Sequence, residues 1–411
     1  MSGDAIPFDS DEPEMQPAPR WRRRRVVLGA AIFVAVCLAL YAALPWILPL
    51  AIVEGPLVQQ ADAHGAVIVW WTSRPGACDL RLDHAGRSEA VPVQHDGRRH
   101  RAVVEGLEPG GRFPYRIRSG ERSLGAYTLR ALGAPATPLH MLVFGDSGKG
   151  SREQYLLAAR MAERQPDLVL HTGDLVYPDG DRHDYAERFF RPYRELLSSV
   201  AFWPSLGNHD VSEPHFGAPY AQVFDLPSNG PAGLPAEYNY AFQAGNVRVA
   251  VIDSNLDENA LRERVAPWLA EQLAAGAASW RFVVLHHPPY TVGPHGPTAR
   301  VQSALVPIFD ATGVDVVFGG HDHLYCRTKP MRGGQAVESG GAVYIVTGAG
   351  GAKLYKAAPV EDHPAYIAAY HDATHSFTEI EITESRLAGR QIDISGRIVD
   401  EWAIDKPAAA Q

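Results

Sequence analysis

The chain has 411 residues, room for more than one domain, and its 46% hydrophobic and 21% charged residues are the balance of a folded protein. A formal net charge of −9 argues against a general nucleic-acid binder. The cysteines, Cys37, Cys78 and Cys326, are too far apart to form a ligand-spacing pattern or to define a disulfide framework.

The start of the chain, to Pro19, is polar and proline-containing and predicts no fixed structure. "WRRRR" follows, and then an uncharged apolar run from Val26 to Val53, long enough to cross a bilayer. Four arginines on its N-terminal side predict a cytoplasmic segment 1–25, a single transmembrane anchor at 26–50, and everything after it outside the cytoplasm, periplasmic or extracellular. Signal-peptide cleavage is disfavoured because Tyr41, Trp46 and prolines interrupt the place where a small-x-small site belongs.

Residues 55–132 read as an all-β sandwich. The runs "AVIVWWTS", "CDLRLDH", "RHRAVVEGL", "FPYRIRSG" and "LGAYTLRAL" alternate apolar and polar positions between turn residues. This segment resembles a fibronectin type III-like module and holds no cluster of metal-ligating groups. "GAPATP", Gly133 to Pro138, is the predicted linker.

From 138 to 405 the pattern changes to short apolar runs ending in polar residues, with helical segments between them, which predicts an α/β domain. "SREQYLLAARMAERQPD" has apolar residues at helical spacing, Ser151 as N-cap and Pro166 as stop. Strands are expected in "LHMLVFGDSG", "DLVLHTGDLVY", "AFWPSLGNHD", "RFVVLHHPPY", "VDVVFGGHDH" and "AVYIVTGAGG", and alternation after Ser376 predicts closing antiparallel strands. Their ends carry Asp146, Asp174, Asn208 with His209, His286 with His287, and His321 with His323. An aspartate after a strand is ordinarily a turn former, and a buried histidine ordinarily a packing residue. Carboxylate, amide and imidazole groups gathered at strand ends are instead the donors of a metal of intermediate hardness, and a carboxylate can bridge two such metals.

In order and local sequence, "GDSG", "GDLVY", "GNHD", "VVLH" and "GHDH" resemble the blocks of calcineurin-like metallophosphoesterases, and of purple acid phosphatases in particular; the preceding β module resembles the N-terminal domain of the plant-type members. The resemblance implies a metallophosphoesterase β-sandwich flanked by helices, preceded by a small all-β sandwich domain and a transmembrane helix. It assigns Asp146, Tyr177 and His323 to one metal, Asn208, His286 and His321 to a second, and Asp174 to both. Where many relatives have Asp-x-His in the first block, this chain has Asp146-Ser147-Gly148, and Tyr177 offers the missing donor; its phenolate suits Fe(III), beside a divalent iron, zinc or manganese. Val-x-x-His fits both His286 and His287. The phrase "HGPT", nine residues past the ligand in mammalian-type members, selects His286 and leaves His287 a supporting neighbour.

His209 and His295 resemble the family's substrate-contacting pair, able to bind phosphate oxygens and protonate a leaving alkoxide. Pro294 stands where mammalian-type members have a glutamate, which leaves the proton donor open; Arg327 and His183 are weaker phosphate-contact candidates. The expected activity is hydrolysis of small phosphate monoesters by metal-bound hydroxide. The alternatives are a phosphodiesterase or nucleotide hydrolase on the same site, and a non-catalytic adhesion or scaffold protein with a vestigial site.

Overall fold

In the computed structural model, which describes residues 28, 31–39, 48–84, 86–276 and 278–406, the chain divides into two units, Met1–Leu50 and Ala51–Gln411. Residues 31–39 of the first unit are helical. Segment 1–25 and most of the expected anchor at 26–50 lie outside the described residues; among the described residues no helix is long and apolar enough to cross a membrane.

The second unit begins with eight strands: β1 (Ile52–Gln59), β2 (Gly65–Thr72), β3 (Asp79–His84), β4 (Arg87–Val91), β5 (Val93–Asp96), β6 (Arg99–Glu105), β7 (Arg112–Ser119) and β8 (Arg122–Arg130). They pair antiparallel in two four-stranded sheets, ordered β1-β2-β6-β5 and β4-β3-β7-β8. Period-2 patterning explains them: on β7, Phe113, Tyr115 and Ile117 are buried while Arg112, Pro114 and Arg116 face out. Sequence pattern misses β1, where Gly55-Pro56 interrupts the alternation and the register shifts, and β4, whose RSEAV is nearly all exposed.

The rest of the unit contains β9 (Leu139–Phe144), β10 (Leu168–His171), β11 (Ala201–Pro204), β12 (Tyr240–Ala244), β13 (Val247–Val251), β14 (Trp280–Val284), β15 (Val316–Gly319), β16 (Tyr325–Thr328), the ribbon β17 (Met331–Arg332) and β18 (Gln335–Ala336), β19 (Val343–Thr347), β20 (Ile367–His371), β21 (Ser376–Ile382), β22 (Arg386–Asp393) and β23 (Ile398–Asp405). A six-stranded sheet runs β11-β10-β9-β21-β22-β23 and a seven-stranded sheet β12-β13-β14-β15-β19-β16-β20. Within them β9, β10 and β11 are parallel, as are β13, β14, β15 and β19. Strands buried on both faces read as continuous apolar runs, which is why all of these except β13 were legible in the sequence.

Helix α1 (Arg152–Glu163) starts on Ser151, whose hydroxyl accepts the Gln154 N–H, as expected. Later helices include α2 (Arg191–Leu197), α3 (Ala266–Ala274) and α4 (Ala299–Thr312). Leu269 and Leu273 of α3 and Val301, Leu305 and Phe309 of α4 bury against Val283, Val317 and Tyr344 of the seven-stranded sheet. The two sheets meet where β9 and β19 end: the Gly145 N–H donates to Thr347 O (3.0 Å) and the Thr378 hydroxyl to that of Thr347 (3.0 Å). Loops leaving the C-terminal ends of the parallel strands therefore share one edge.

Candidate metal centre

Asp146 follows β9, Asp174 and Tyr177 follow β10, Asn208 follows β11, His286 follows β14, and His321 and His323 follow β15. Asp146, Asp174 and His321 adopt positive φ (56°, 55° and 69°), a left-handed backbone that side-chain-bearing residues rarely take and that turns each strand end sharply inward. The packing leaves no room beside them. A Cβ on Gly207 would lie 2.1 Å from Asp174 Oδ1, and one on Gly320 2.4 Å from Asp146 Oδ2.

All seven predicted donors come together, in two groups. In the first, the Tyr177 hydroxyl is 2.9 Å from Asp174 Oδ2, 3.0 Å from His323 Nε2 and 3.5 Å from Asp146 Oδ1, and His323 Nε2 is 3.5 Å from Asp146 Oδ1. Donor atoms of Asp146, Asp174 and His323 all lie within 4.8 Å of one another. In the second, Asn208 Oδ1 is 3.0 Å from both His286 Nε2 and His321 Nδ1, and His286 Nε2 is 3.6 Å from Asp174 Oδ1. The two oxygens of Asp174 thus face different groups. The far nitrogens are tied down: His286 Nδ1 bonds to Thr172 O (2.9 Å) and His323 Nδ1 to Lys353 O (2.7 Å), so Nε2 of each is the nitrogen presented inward.

The electrostatics fit a cation. Asp146 and Asp174 are buried, and among the described residues neither is paired with a lysine or arginine; their neighbours are Tyr177, imidazoles and the N–H groups of His321 and His209. Burial raises the carboxyl pKa of Asp146. At Asp174 burial also opposes the charge, but His286, His209 and the Tyr177 hydroxyl outweigh it and hold its carboxyl low. Burial lowers His321 to about 3, helped by His286 and His295, so its imidazole is neutral and free to donate a lone pair. Burial next to Asp174 and Asp146 keeps the Tyr177 phenol protonated until something stronger competes for its oxygen.

His287 is not among the donors. The Ser254 hydroxyl accepts the N–H of His286 (3.2 Å) and of His287 (2.9 Å) and lies 3.0 Å from His287 Nδ1, while the His287 ring packs on that of His321 at 4.6 Å. Burial pushes its pKa far down. The expected acid–base pair flanks the donors on two sides. The His209 ring lies on Tyr177 (4.5 Å) with Nδ1 bonded to Pro178 O; the His295 ring lies on His321 (4.1 Å) with Nδ1 2.8 Å from Asp322 Oδ1. The weaker candidates have other partners: Arg327 pairs with Asp400 (2.7 Å) and His183 with Asp181 (2.5 Å).

Sequence reasoning passed over several supporting residues. Buried Asp210 accepts the N–H groups of Leu175 (3.0 Å) and Gly207 (2.8 Å), fixing the loops that carry Asp174 and Asn208; burial beside Asp174 raises it to about 7. His171 bonds Ser147 Oγ (2.9 Å), and the Tyr355 ring stacks on His323 at 4.1 Å. Asp210 stands inside "GNHD", the one signal that could have found it.

Residues 139–325 match the family model of calcineurin-like phosphoesterases. The chain carries a calcineurin-like phosphoesterase domain. Purple acid phosphatase 7 of Arabidopsis thaliana is 25% identical over 300 residues, 66% of this chain and 87% of that protein. Tartrate-resistant acid phosphatase type 5 of Rattus norvegicus is 23% identical over 304 residues, 64% of this chain and 89% of its own length. Among solved structures, the purple acid phosphatase PPD1 of yellow lupin superposes with a TM-score of 0.75 at 17% identity, covering 85% of this chain and 74% of its own. That share is more than the phosphoesterase part alone can supply, so the likeness of fold runs into the all-β strands before it.

Proposed function

We propose that this phosphoesterase hydrolyses small phosphate monoesters at a dinuclear centre of the purple acid phosphatase type. Asp146, Tyr177 and His323 would hold Fe(III), Asn208, His286 and His321 a divalent iron, zinc or manganese, and Asp174 both. The observation that carries the reading is Asp174 presenting one oxygen to each of two complete donor groups. When bound, two such ions supply Lewis-acid chemistry, neutralising phosphoryl oxygens and acidifying water. Tyr177 makes the first site hard and anionic, which favours a trivalent ion there. Asn208 contributes a neutral oxygen, which leaves the second site the more weakly charged.

His209 and His295, on opposite flanks of the donors, contact the phosphoryl group and the leaving oxygen; an imidazole N–H there binds an anionic oxygen and gives up its proton as the ester bond breaks. No side-chain nucleophile is required, so no phosphorylated residue should accumulate on turnover. The Arg22–Arg25 cluster before the apolar run supports a single N-terminal anchor with the enzyme outside the cytoplasm.

Metal quantification with a visible spectrum, alongside rates on p-nitrophenyl phosphate and its bis-ester, tests the reading. Iron with a phenolate charge-transfer band and faster monoester turnover are expected. Colourless zinc protein would overturn the purple type, faster diester turnover would favour a phosphodiesterase, and a chain that binds no metal would point to a scaffold. Sedimentation of the full chain with membranes, and release of a chain starting at Ala51, tests the anchor.

A further inference from the structure

The H-x-H segment contributes a third polar side chain, and it points away from the donors. Asp322 lies between His321 and His323 in sequence, yet it is fully buried and its carboxylate is spent on the loop Thr291–His295. Oδ2 accepts the Thr291 hydroxyl (2.7 Å), while Oδ1 accepts the His295 backbone N–H (3.2 Å) and meets His295 Nδ1 at 2.8 Å. Gly293 N–H in turn donates to the Thr291 hydroxyl (2.9 Å), and a Cβ at Gly293 would sit 2.1 Å from Asp322 Cγ, so the loop is folded tightly over the carboxylate.

The consequence falls on His295. A carboxylate accepts only, so the proton in the 2.8 Å contact belongs to imidazole Nδ1. The ring is clamped on one face by His321 (4.1 Å) and bordered by Tyr355 (5.4 Å), and its side chain remains 42% exposed. With Nδ1 held on a buried carboxylate, Nε2 is left on the open side, and among the described residues it makes no hydrogen bond.

We propose that Asp322 is a positioning residue for the reaction: it fixes the tautomer and the direction of His295 so that Nε2 faces the leaving oxygen of the bound ester. The inference rests on the monoester-hydrolysis reading. A water oxygen forms the new P–O bond and releases a proton to solvent; the ester P–O bond breaks with its electron pair going to the leaving oxygen; that oxygen takes the proton of His295 Nε2–H. The imidazole is left neutral, its Nδ1–H still on Asp322. Pro294 precedes His295, so the carboxylate that meets this ring comes from a different element, at Asp322.

A double-mutant cycle in the metal-loaded full chain tests this. Asp322→Ala should lower kcat on an alkyl phosphate, whose leaving group needs the proton, by about 10²-fold, lower it several-fold less on p-nitrophenyl phosphate, and leave KM and metal content unchanged. In a His295→Ala background the same change should add less than about twofold, because coupled residues are not additive. Asp322→Asn keeps an acceptor for Nδ1–H and should restore most of the rate, and it also answers for the case in which the alanine variant misfolds. Equal losses on both esters, full additivity with His295→Ala, or lost metal would overturn the proposal. An activity-independent reading comes from 15N-histidine spectra of the metal-free full chain, where His295 should be the Nδ1–H tautomer in wild type and not in Asp322→Ala. If the wild type hydrolyses no phosphate ester, the monoester reading fails, and an unchanged His295 spectrum in the variant then decides against Asp322 as well.

Discussion

His286 and His287 are identical side chains one residue apart, and what separates them is the partner of each nitrogen. His286 gives Nδ1 to a backbone carbonyl and keeps Nε2 for the donor group, whereas His287 puts Nδ1 on the Ser254 hydroxyl and buries its ring beside His321. His286→Ala should therefore lose one of the two proposed metals and at least about 10²-fold in activity. His287→Ala should keep both metals and cost about 1–3 kcal/mol of stability through a lost contact and an orphaned hydroxyl. Metal analysis and thermal melts on the pair check this; the reverse pattern would overturn the assignment. With Fe(III) in the first site as proposed, Tyr177→Phe should likewise remove the expected visible band while leaving the ring packing on His209. The residues themselves do not say which histidine is the donor, because Val-x-x-His fits both; the choice came from the resemblance. Asp210 and Asp322, although they stand inside "GNHD" and "GHDH", and Ser254 were passed over for a related reason. Each acts mainly on backbone N–H groups or on a neighbouring loop, and such a partner leaves no spacing in the sequence.

The strand ends behave as a set of cradles. Parallel strands β9, β10, β14, β15 and β19 were readable because burial on both faces demands apolar runs, and the donors were readable as polar residues where those runs stop. The β12–β13 hairpin and strands β16 and β20 were not foreseen: β20 shows only intermediate and exposed positions and β16 has four residues, so pairing in the sheet, not local pattern, makes them strands. The tight approach of loops to carboxylates was equally unreadable. Gly320→Ala puts a methyl group against Asp146 and the Thr172 hydroxyl, 2.4 Å and 2.8 Å away, and should cost the first metal before it costs the fold; metal titration against melting temperature distinguishes the two. On the closing strand β21, buried Glu379 bonds His140 (2.9 Å) and Arg164 (2.6 Å and 2.7 Å). Burial opposes its charge, but these partners pull its pKa from 4.5 down to about 2. A carboxyl depressed in the folded state stabilises above its unfolded pKa and loses that contribution as pH falls toward the folded value. About 2–4 kcal/mol should thus disappear between roughly pH 4.5 and 2. Glu379→Gln should be less stable at neutral pH and flatter across that acid window, as urea unfolding at several pH values would read.

At the scale of the molecule, the all-β strands and the phosphoesterase part fall in one unit, and polar side chains join them. Asp225 is the hub: its carboxylate accepts Arg101 (2.6 Å and 3.2 Å), Arg99 (3.4 Å) and Gln60 (2.8 Å), and its backbone N–H donates to Gln59 (2.6 Å). The Tyr115 hydroxyl donates to Ser198 O (2.7 Å), Arg130 reaches Gln165 O, Pro166 O and Asp167, and Arg182 pairs with Glu54. Of these contacts the Arg182–Glu54 pair falls on the segment after β10 that carries Asp174 and Tyr177, whereas the Asp225 hub binds none of the donor residues, so cutting the hub should uncouple stability from chemistry. Asp225→Ala leaves two arginine side chains, each 26% exposed, without their carboxylate. Stranding half-buried charge in this way costs about 2–3 kcal/mol, which should lower the denaturant midpoint, while metal content and initial rates below the transition stay at the wild-type level. A variant that keeps its midpoint would show the two parts to be held by apolar packing instead. A variant that loses rate or metal in the folded state would show that the hub sets the geometry of the loops after β10 and β11, the strands whose ends carry Asp174 and Asn208.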